Sequence, residues 1–245
     1  QYSVKFFVEQ CFRYMGIKIK WFGQGLKECA KIILGGRIQK YELEANSGVL
    51  LTTSDTIPDV PNNNPQNKKS IFGKILFIDE VTNDISVFSS GHRNPQGLLV
   101  DGELVLSTEH GPMGGDEINI NRFPSKDDLK NFGYPISSYG EHYGYPDPSS
   151  LFKYKNAPLH KSHKEYGFIE PIKYFVPSIA ISAVNIFNNV LLVGSMGNDV
   201  DEGDLSLHTY DINQKFELSN HNILPLDQRI RDIHVVSSTN QIFLF

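Results

Sequence analysis

Short apolar runs, separated by turns of a few residues, recur through this chain and constrain its fold more than any other feature. Val49–Thr53, Lys74–Asp79, Asp84–Ser89, Gly97–Val100, Leu104–Thr108, Ile179–Phe187, Val190–Ser195 and Leu205–Asp211 are rich in Val, Ile, Leu, Phe and Thr, the residues that favour strands. Turn formers stand between them: Asn46-Ser47-Gly48, Asp101-Gly102, Asn188-Asn189 and Asp211-Ile212-Asn213. This is hairpin spacing, and it predicts an all-β, antiparallel fold. One stretch reads as helix, Ser125–Asn131, with Ser125 as N-cap and Asp127 and Asp128 in the first turn. Pro58–Gln66 and Glu141–His163 read as long polar loops, which on a compact β scaffold tend to carry function. The strand–turn–strand unit repeats at 97–108 and 181–195, too loosely to define a repeat by itself.

The chain has 245 residues, enough to bury a sizeable core, and all-β folds of this length often form one domain. Its formal charge of −5 and lack of a basic stripe argue against nucleic acid as a partner. The most apolar stretch, Tyr174–Gly194, is broken by Pro177, Asn185, Asn188 and Asn189, so no membrane span is expected. No signal peptide begins at residue 1. Cys11 and Cys29 leave two readings open, a bridge or two separate thiols, and do not fix a compartment. Acids cluster at Asp116–Glu117 and at Asp199–Asp204; the second cluster reads as a solvated hairpin tip, with a calcium site as the sharper alternative.

The chemistry concentrates in residues 91–120, Gly-His-Arg-Asn-Pro-Gln-Gly followed by Glu-His-Gly-Pro-Met-Gly-Gly-Asp-Glu-Ile-Asn-Ile. Arg93 supplies a planar guanidinium fork and Asn94 an amide, suited to carboxylates and carbonyls. Gly111 and Pro112 form a turn that exposes main-chain carbonyls, and Glu109, Asp116 and Glu117 add hard oxygens of the kind calcium prefers. The two polar segments flank the apolar pair Leu98–Val100 and Leu104–Ser107, so adjacent strands bring both loop tips to one end of a sheet. Taken alone, Arg93 and Asn94 also suit a loop that merely ties itself to carbonyls.

These residues resemble the signature of the quinoprotein aldose sugar dehydrogenases, the glucose/sorbosone dehydrogenase family. The similarity extends to Asn131-Phe132-Gly133-Tyr134-Pro135 with Ser138-Tyr139-Gly140, to Arg229-Ile230-Arg231-Asp232, and upstream to Gly35-Gly36-Arg37-Ile38. The resemblance implies a β-propeller, six-bladed in the family, that oxidises the C1 hydroxyl of aldose sugars with pyrroloquinoline quinone and calcium, passes electrons to an external acceptor, and works in the periplasm or outside the cell. It implies that Arg93 and Asn94 bind the quinone oxygens, with Arg93 also polarising the reactive carbonyl. It implies that Arg229 and Arg231 face the cofactor carboxylates, that the Gly111 and Pro112 carbonyls hold the calcium, and that Glu117 serves a second, structural calcium. Without the resemblance, Arg229 and Arg231 read as surface partners of Asp227 and Asp232. At about 40–50 residues per blade, 1–245 is expected to form a single propeller domain of about four to five blades, a fragment lacking at least one N-terminal blade.

The departures set the alternative. The family's catalytic histidine stands two residues before Gly-Gly-Arg, where this chain has Ile33, and isoleucine accepts no proton. A family lysine that meets the cofactor falls near Met196-Gly197, where no lysine occurs. His92 and Glu109 are the visible candidates for a replacement base; His160 and His163 are spaced as a metal pair but sit among Lys161 and Lys164. Two classes therefore stand: a quinone-dependent sugar oxidoreductase carried by the Arg-Asn, Gly-Pro and Arg-x-Arg set, and a non-catalytic propeller that binds calcium, a sugar or a protein partner.

Overall fold

Side chains alternate across a strand, so a strand apolar at every position must be covered on both faces. Several strands of this chain carry three or more consecutive apolar residues, and they stack their sheets in series. The computed structural model describes residues 21–22, 29–30, 36–43, 46–55, 64–122, 128–142, 156–197 and 204–245. The strands are β1 (Trp21–Phe22), β2 (Cys29–Ala30), β3 (Ile38–Leu43), β4 (Asn46–Thr53), β5 (Lys74–Asp79), β6 (Ile85–Ser90), β7 (Pro95–Asp101), β8 (Leu104–Glu109), β9 (Asp116–Arg122), β10 (Lys130–Asn131), β11 (Lys173–Phe175), β12 (Ile181–Phe187), β13 (Val190–Ser195), β14 (Ser206–Ile212), β15 (Leu218–Pro225), β16 (Ile233–Val236) and β17 (Gln241–Leu244). Helical turns among the described residues are two 3-10 segments, Lys164–Tyr166 and Ser237–Thr239.

The first large sheet has the order β10-β6-β5-β4-β3, the second β11-β9-β8-β7 and the third β12-β13-β14-β15; β1-β2 and β16-β17 are two-stranded. Pairing is antiparallel throughout except between β10 and β6. The expectation of an antiparallel all-β fold is met. Successive sheets approach one another along their first strands, with β7 touching β3, β4 and β12, and β12 touching β16.

Three apolar layers fill the gaps. Tyr41, Leu50, Ile75, Phe77, Leu98 and Val105 lie between the first and second sheets. Leu104, Leu106, Ile118, Ile181, Leu191, Val193 and Tyr210 lie between the second and third. Ala183, Leu192, Leu207, Ile230 and Ile233 lie between the third and β16. In β8, Val105 faces one neighbour while Leu104 and Leu106 face the other; in β13, Leu192 and the pair Leu191/Val193 divide in the same way. Burying each such side chain stabilises the fold by about 1.5–3 kcal/mol.

One expected element differs. Over Ser125–Asn131 the sequence predicts a helix; positions 125–127 lie outside the described residues, and Lys130–Asn131 run as β10 beside Ser89 and Ser90. Tertiary bonds override the local signal: Phe132 N–H donates to the Ser90 carbonyl (2.9 Å), and the Asn131 amide donates to Gln66 (2.7 Å) while its oxygen takes the Gly133 N–H (3.0 Å). Of the loop at 58–66, only 64–66 is described, as a turn; of the loop at 141–163, Ser137 bridges to His160 at its far end. No helix of the described residues is long and apolar enough to cross a membrane.

Candidate functional site

β7 starts at Pro95 and β8 ends at Glu109, so the segments just outside them, Gly91–Asn94 and His110–Gly115, lie side by side at one end of the second sheet. The His110 N–H donates to the Asn94 carbonyl at 3.0 Å. Arg93 reaches across: its guanidinium donates to the carbonyl of His110 at 3.0 Å and to that of Gly111. The end of β4 braces the same loop, with Asp55 N–H on the Arg93 carbonyl (2.7 Å) and the Ser54 hydroxyl on Asn94 Oδ1 (2.6 Å). Gln96 also donates to Asn94 Oδ1, at 2.8 Å. From the start of β3, Arg37 adds contacts to the Gln96 carbonyl (2.5 Å), to the Arg231 carbonyl and to the Asp232 carboxylate (3.1 Å). Arg93, Asn94, Gly111 and the backbone of Arg231 thus belong to one hydrogen-bonded cluster.

Behind it runs a buried polar chain. Glu109 Oε2 accepts the Arg93 N–H at 2.7 Å; Oε1 faces His92 Nδ1 at 3.0 Å and accepts from Asn119 at 2.7 Å. On the other side of the ring, His92 Nε2 lies 2.8 Å from the Ser89 hydroxyl. Asn119 also meets Glu117 at 3.3 Å, and Glu117 Oε1 faces His163 Nε2 at 3.1 Å; His163 Nδ1 lies 2.9 Å from Ser137 Oγ. His92, Glu109, Glu117, Asn119 and His163 are all buried. The chain forms because Glu117, Asn119 and Asn121 alternate along β9 and so point to one face, with Glu109 directly opposite Glu117 in the β8 register.

Burial would push the Glu109 carboxyl up, but His92, the Arg93 N–H and Asn119 together hold it below the usual glutamate range. At Glu117 burial prevails and the carboxyl is raised; at His163 burial works downward, but the Glu117 contact prevails and raises it. Both shifts keep one proton within the Glu117–His163 pair to higher pH. Asp116 points the opposite way from Glu117. Its carboxylate accepts from the N–H groups of Gly111 (3.3 Å), Ile179 (3.1 Å) and Ile181 (2.9 Å), and burial raises it against the pull of His110 and those bonds.

The glycines of the Gly-Pro-Met-Gly-Gly turn answer to backbone crowding. A Cβ on Gly111 would stand 1.9 Å from the Gly115 carbonyl oxygen, and one on Gly115 would stand 2.2 Å from the Gly140 nitrogen. The similarity noted at 138–140 therefore belongs to the same packed turn as the one at 111–115.

Of the residues read from the sequence, Arg93, Asn94 and Gly111 are brought together. The Pro112 carbonyl accepts the Gly115 N–H at 3.1 Å. Arg229 and Arg231 are exposed, and Asp232 pairs with Arg37. Glu117 is committed to His163 and Asn119. His92 and Glu109, candidates for a replacement base, are sealed in the interior with their polar atoms engaged. His163 is buried against Glu117, while His160 stacks on Tyr166 at 3.8 Å, so the two do not form a metal pair. Among the described residues no three or more His, Cys, Asp or Glu side chains gather as a metal cluster. Ile33, Cys11 and Asp199–Gly203 lie outside the described residues; Asp204 bonds Ser195 (2.7 Å) and meets His208 (2.8 Å). Met196 donates its N–H to the Ala180 carbonyl at 2.9 Å. Sequence reading passed over Ser54, Asp55 and Asn119, and took Arg37 only as part of a flanking similarity.

The Arg93 guanidinium and the Asn94 amide are groups that suit an anion, whereas the Gly111 and Pro112 carbonyls fall short of the six to eight oxygens that calcium takes. A calcium ion there would need oxygens from the cofactor itself.

A sequence model of the family described as Glucose / Sorbosone dehydrogenase matches residues 34–244. The aldose sugar dehydrogenase YliI of Escherichia coli is 32% identical over 150 residues, 60% of this chain and 33% of that protein. An uncharacterized protein of Synechocystis sp. is 28% identical over 205 residues, 72% of this chain and 45% of its own length. This chain therefore spans between a third and a half of the curated relatives it matches. Among solved structures, a glucose dehydrogenase superposes with a TM-score of 0.63 at 22% identity, covering 86% of this chain and 60% of that one. The soluble aldose sugar dehydrogenase of E. coli in its apo form gives 0.61 at 21% identity, covering 89% and 65%. At such identities the likeness is one of fold.

Proposed function

The chain belongs to the glucose/sorbosone dehydrogenase family, and from that premise we propose that it contributes the cofactor-binding part of a sugar dehydrogenase-type oxidoreductase. The proposed reaction oxidises the C1 hydroxyl of an aldose, with pyrroloquinoline quinone and calcium as cofactors and an external electron acceptor. The series of sheets meeting along their first strands supports a β-propeller, and the family supports a periplasmic or secreted location.

One observation carries the reading: Arg93 lies across the His110 and Gly111 carbonyls beside Asn94, with its loop braced from Ser54, Asp55 and Glu109. Bound quinone supplies the acceptor for the two electrons that leave C1 with its hydrogen. Arg93 would meet a quinone oxygen and draw charge toward it, Asn94 would donate its amide to a neighbouring oxygen, and Arg229 and Arg231 would meet the carboxylates. The Gly111 and Pro112 carbonyls would turn from the Arg93 guanidinium and the Gly115 N–H to hold the calcium, and Glu117 would serve a second calcium in place of its bonds to His163 and Asn119. The hydroxyl proton needs a base. His92 and Glu109 are too enclosed for that task, and this favours the second reading, a non-catalytic propeller that binds calcium, a sugar or a protein partner.

The test is a titration of pyrroloquinoline quinone in calcium against the wild-type protein and Arg93→Ala. A charge-assisted contact is worth about 1.5–3 kcal/mol, so the variant should bind roughly ten- to a hundredfold more weakly. Equal affinities would remove Arg93 from the site and end the cofactor reading. Addition of an aldose to the loaded wild-type protein then separates turnover from binding alone.

A further inference from the structure

Arg37 precedes β3, yet its guanidinium holds together two segments remote from it in the chain. Its own N–H is anchored on Thr52 Oγ1 at 3.0 Å, so the side chain starts from a backbone fixed against β4. Nε donates to the Gln96 carbonyl at 2.5 Å, beside Asn94. One terminal nitrogen donates to the Arg231 carbonyl, and the other lies 3.1 Å from Asp232 Oδ1. A single planar fork thus ties the Arg93–Asn94 loop to the Arg229–Asp232 segment, a geometry a lysine ammonium does not reproduce.

The charge consequence is local. Arg229 and Arg231 are exposed, and Asp232 is the next residue along. A carboxylate in that place, if unclaimed, competes for the two guanidinium groups and cancels part of their field. Arg37 claims it.

We infer that Arg37 is a positioning residue for Arg229 and Arg231: by holding the Asp232 carboxylate and the Arg231 carbonyl, it leaves those two guanidinium groups for the carboxylates of an anionic ligand. The inference rests on the quinone-binding reading. The Arg37 guanidinium is spent on Gln96, Arg231 and Asp232, so it acts through Asp232 rather than on the ligand.

The test uses calcium-dependent binding of pyrroloquinoline quinone, followed by fluorescence quenching, with melting midpoints recorded for every variant. Arg37→Met should weaken binding by about tenfold, because Asp232, then held by the Ile233 N–H alone, becomes available to the neighbouring arginines. Adding Asp232→Asn to Arg37→Met should restore affinity to within roughly threefold of wild type. A merely structural role for Arg37 predicts the opposite, since the second substitution removes a further polar partner. Wild-type affinity in Arg37→Met, or a double variant as weak as the single one, overturns the inference. If Arg37→Met does not fold, Arg37→Lys takes its place: one ammonium does not hold all three partners, so a loss of roughly threefold, again reversed by Asp232→Asn, is expected, and an unchanged affinity overturns it. A wild-type protein that binds no quinone ends both the inference and the reading beneath it. Weak binding by Arg93→Ala together with unchanged binding by the Arg37 variants ends the inference alone.

Discussion

Glu109 shows how one buried carboxylate orders a loop. It serves His92, the Arg93 N–H and Asn119 at 2.7–3.0 Å, from a position 3% exposed. Removing it leaves buried donors with no acceptor, so Glu109→Ala should cost about 3–5 kcal/mol, read as a lower midpoint in urea unfolding. A loss below about 1 kcal/mol would mean that water or Glu117 replaces the carboxylate. Lys74 is the cationic counterpart. Its ammonium, on a residue 1% exposed, donates to the carbonyls of Asn64 and Pro65 (2.7 Å each) and Phe72 (3.2 Å). Burial lowers its pKa to about 8, against a mild opposing pull from Asp55. The folded value thus lies below the unfolded one, and between them the unfolded chain binds more protons. Stability from this group is therefore present in full above the unfolded pKa and is lost as pH falls toward 8. Measured as the difference between wild type and Lys74→Met, the gain between pH 8 and 10.5 should approach about 3 kcal/mol. A flat difference across that window would place the lysine in water rather than in its carbonyl cage.

At the level of elements, the hairpin between β12 and β13 turns on Asn188 and Asn189, both at positive φ (50° and 62°). Two consecutive left-handed residues are the signature of the tight turn that matches strand twist, and asparagine tolerates them. Asn188→Val should therefore cost about 1–2 kcal/mol in thermal unfolding, with Asn188→Gly near neutral; equal losses in both would point to the side chain rather than to the backbone. The turn was legible in the sequence, as were β5 and β13 at their full extent, because strands apolar on both faces announce themselves. β9 was not, since one of its buried faces is Glu117, Asn119 and Asn121 and its apolar positions are only Ile118 and Ile120. β15, which is mostly solvent-facing, also lacked the apolar signal. The site divides in the same way. Arg93 and Gly111 sit on loops of adjacent strands, and sequence proximity was enough to join them. Arg37 meets partners 59 and 194 residues away, Glu109 and Glu117 lie opposite each other in a register, and neither relation is visible in a linear pattern.

Across the molecule, apolar layers alternate with polar strata, and the polar ones are only partly satisfied. Asn119 Oδ1, both polar atoms of Asn121 and the Tyr210 hydroxyl are buried with no hydrogen-bond partner among the described residues. The outer surface carries the complementary imbalance. β17 pairs with β16 alone in a two-stranded sheet, and Ile242, Phe243, Leu244 and Phe245 are 38%, 44%, 37% and 66% exposed. An apolar strand with an open edge among the described residues is a template for pairing with another chain. A polypeptide of these 245 residues should therefore associate as its concentration rises, by strand addition at β17 rather than through the Arg93 loop. A lysine in the strand adds charge where a second strand would dock, so Ile242→Lys should suppress association while leaving the unfolding free energy from urea titration within about 0.5 kcal/mol of wild type. Light scattering across a concentration series, run in parallel with quinone titration, separates the two surfaces. A monodisperse wild-type protein at high concentration would show the edge to be covered, and an Ile242→Lys protein that still associates would move the contact to another face.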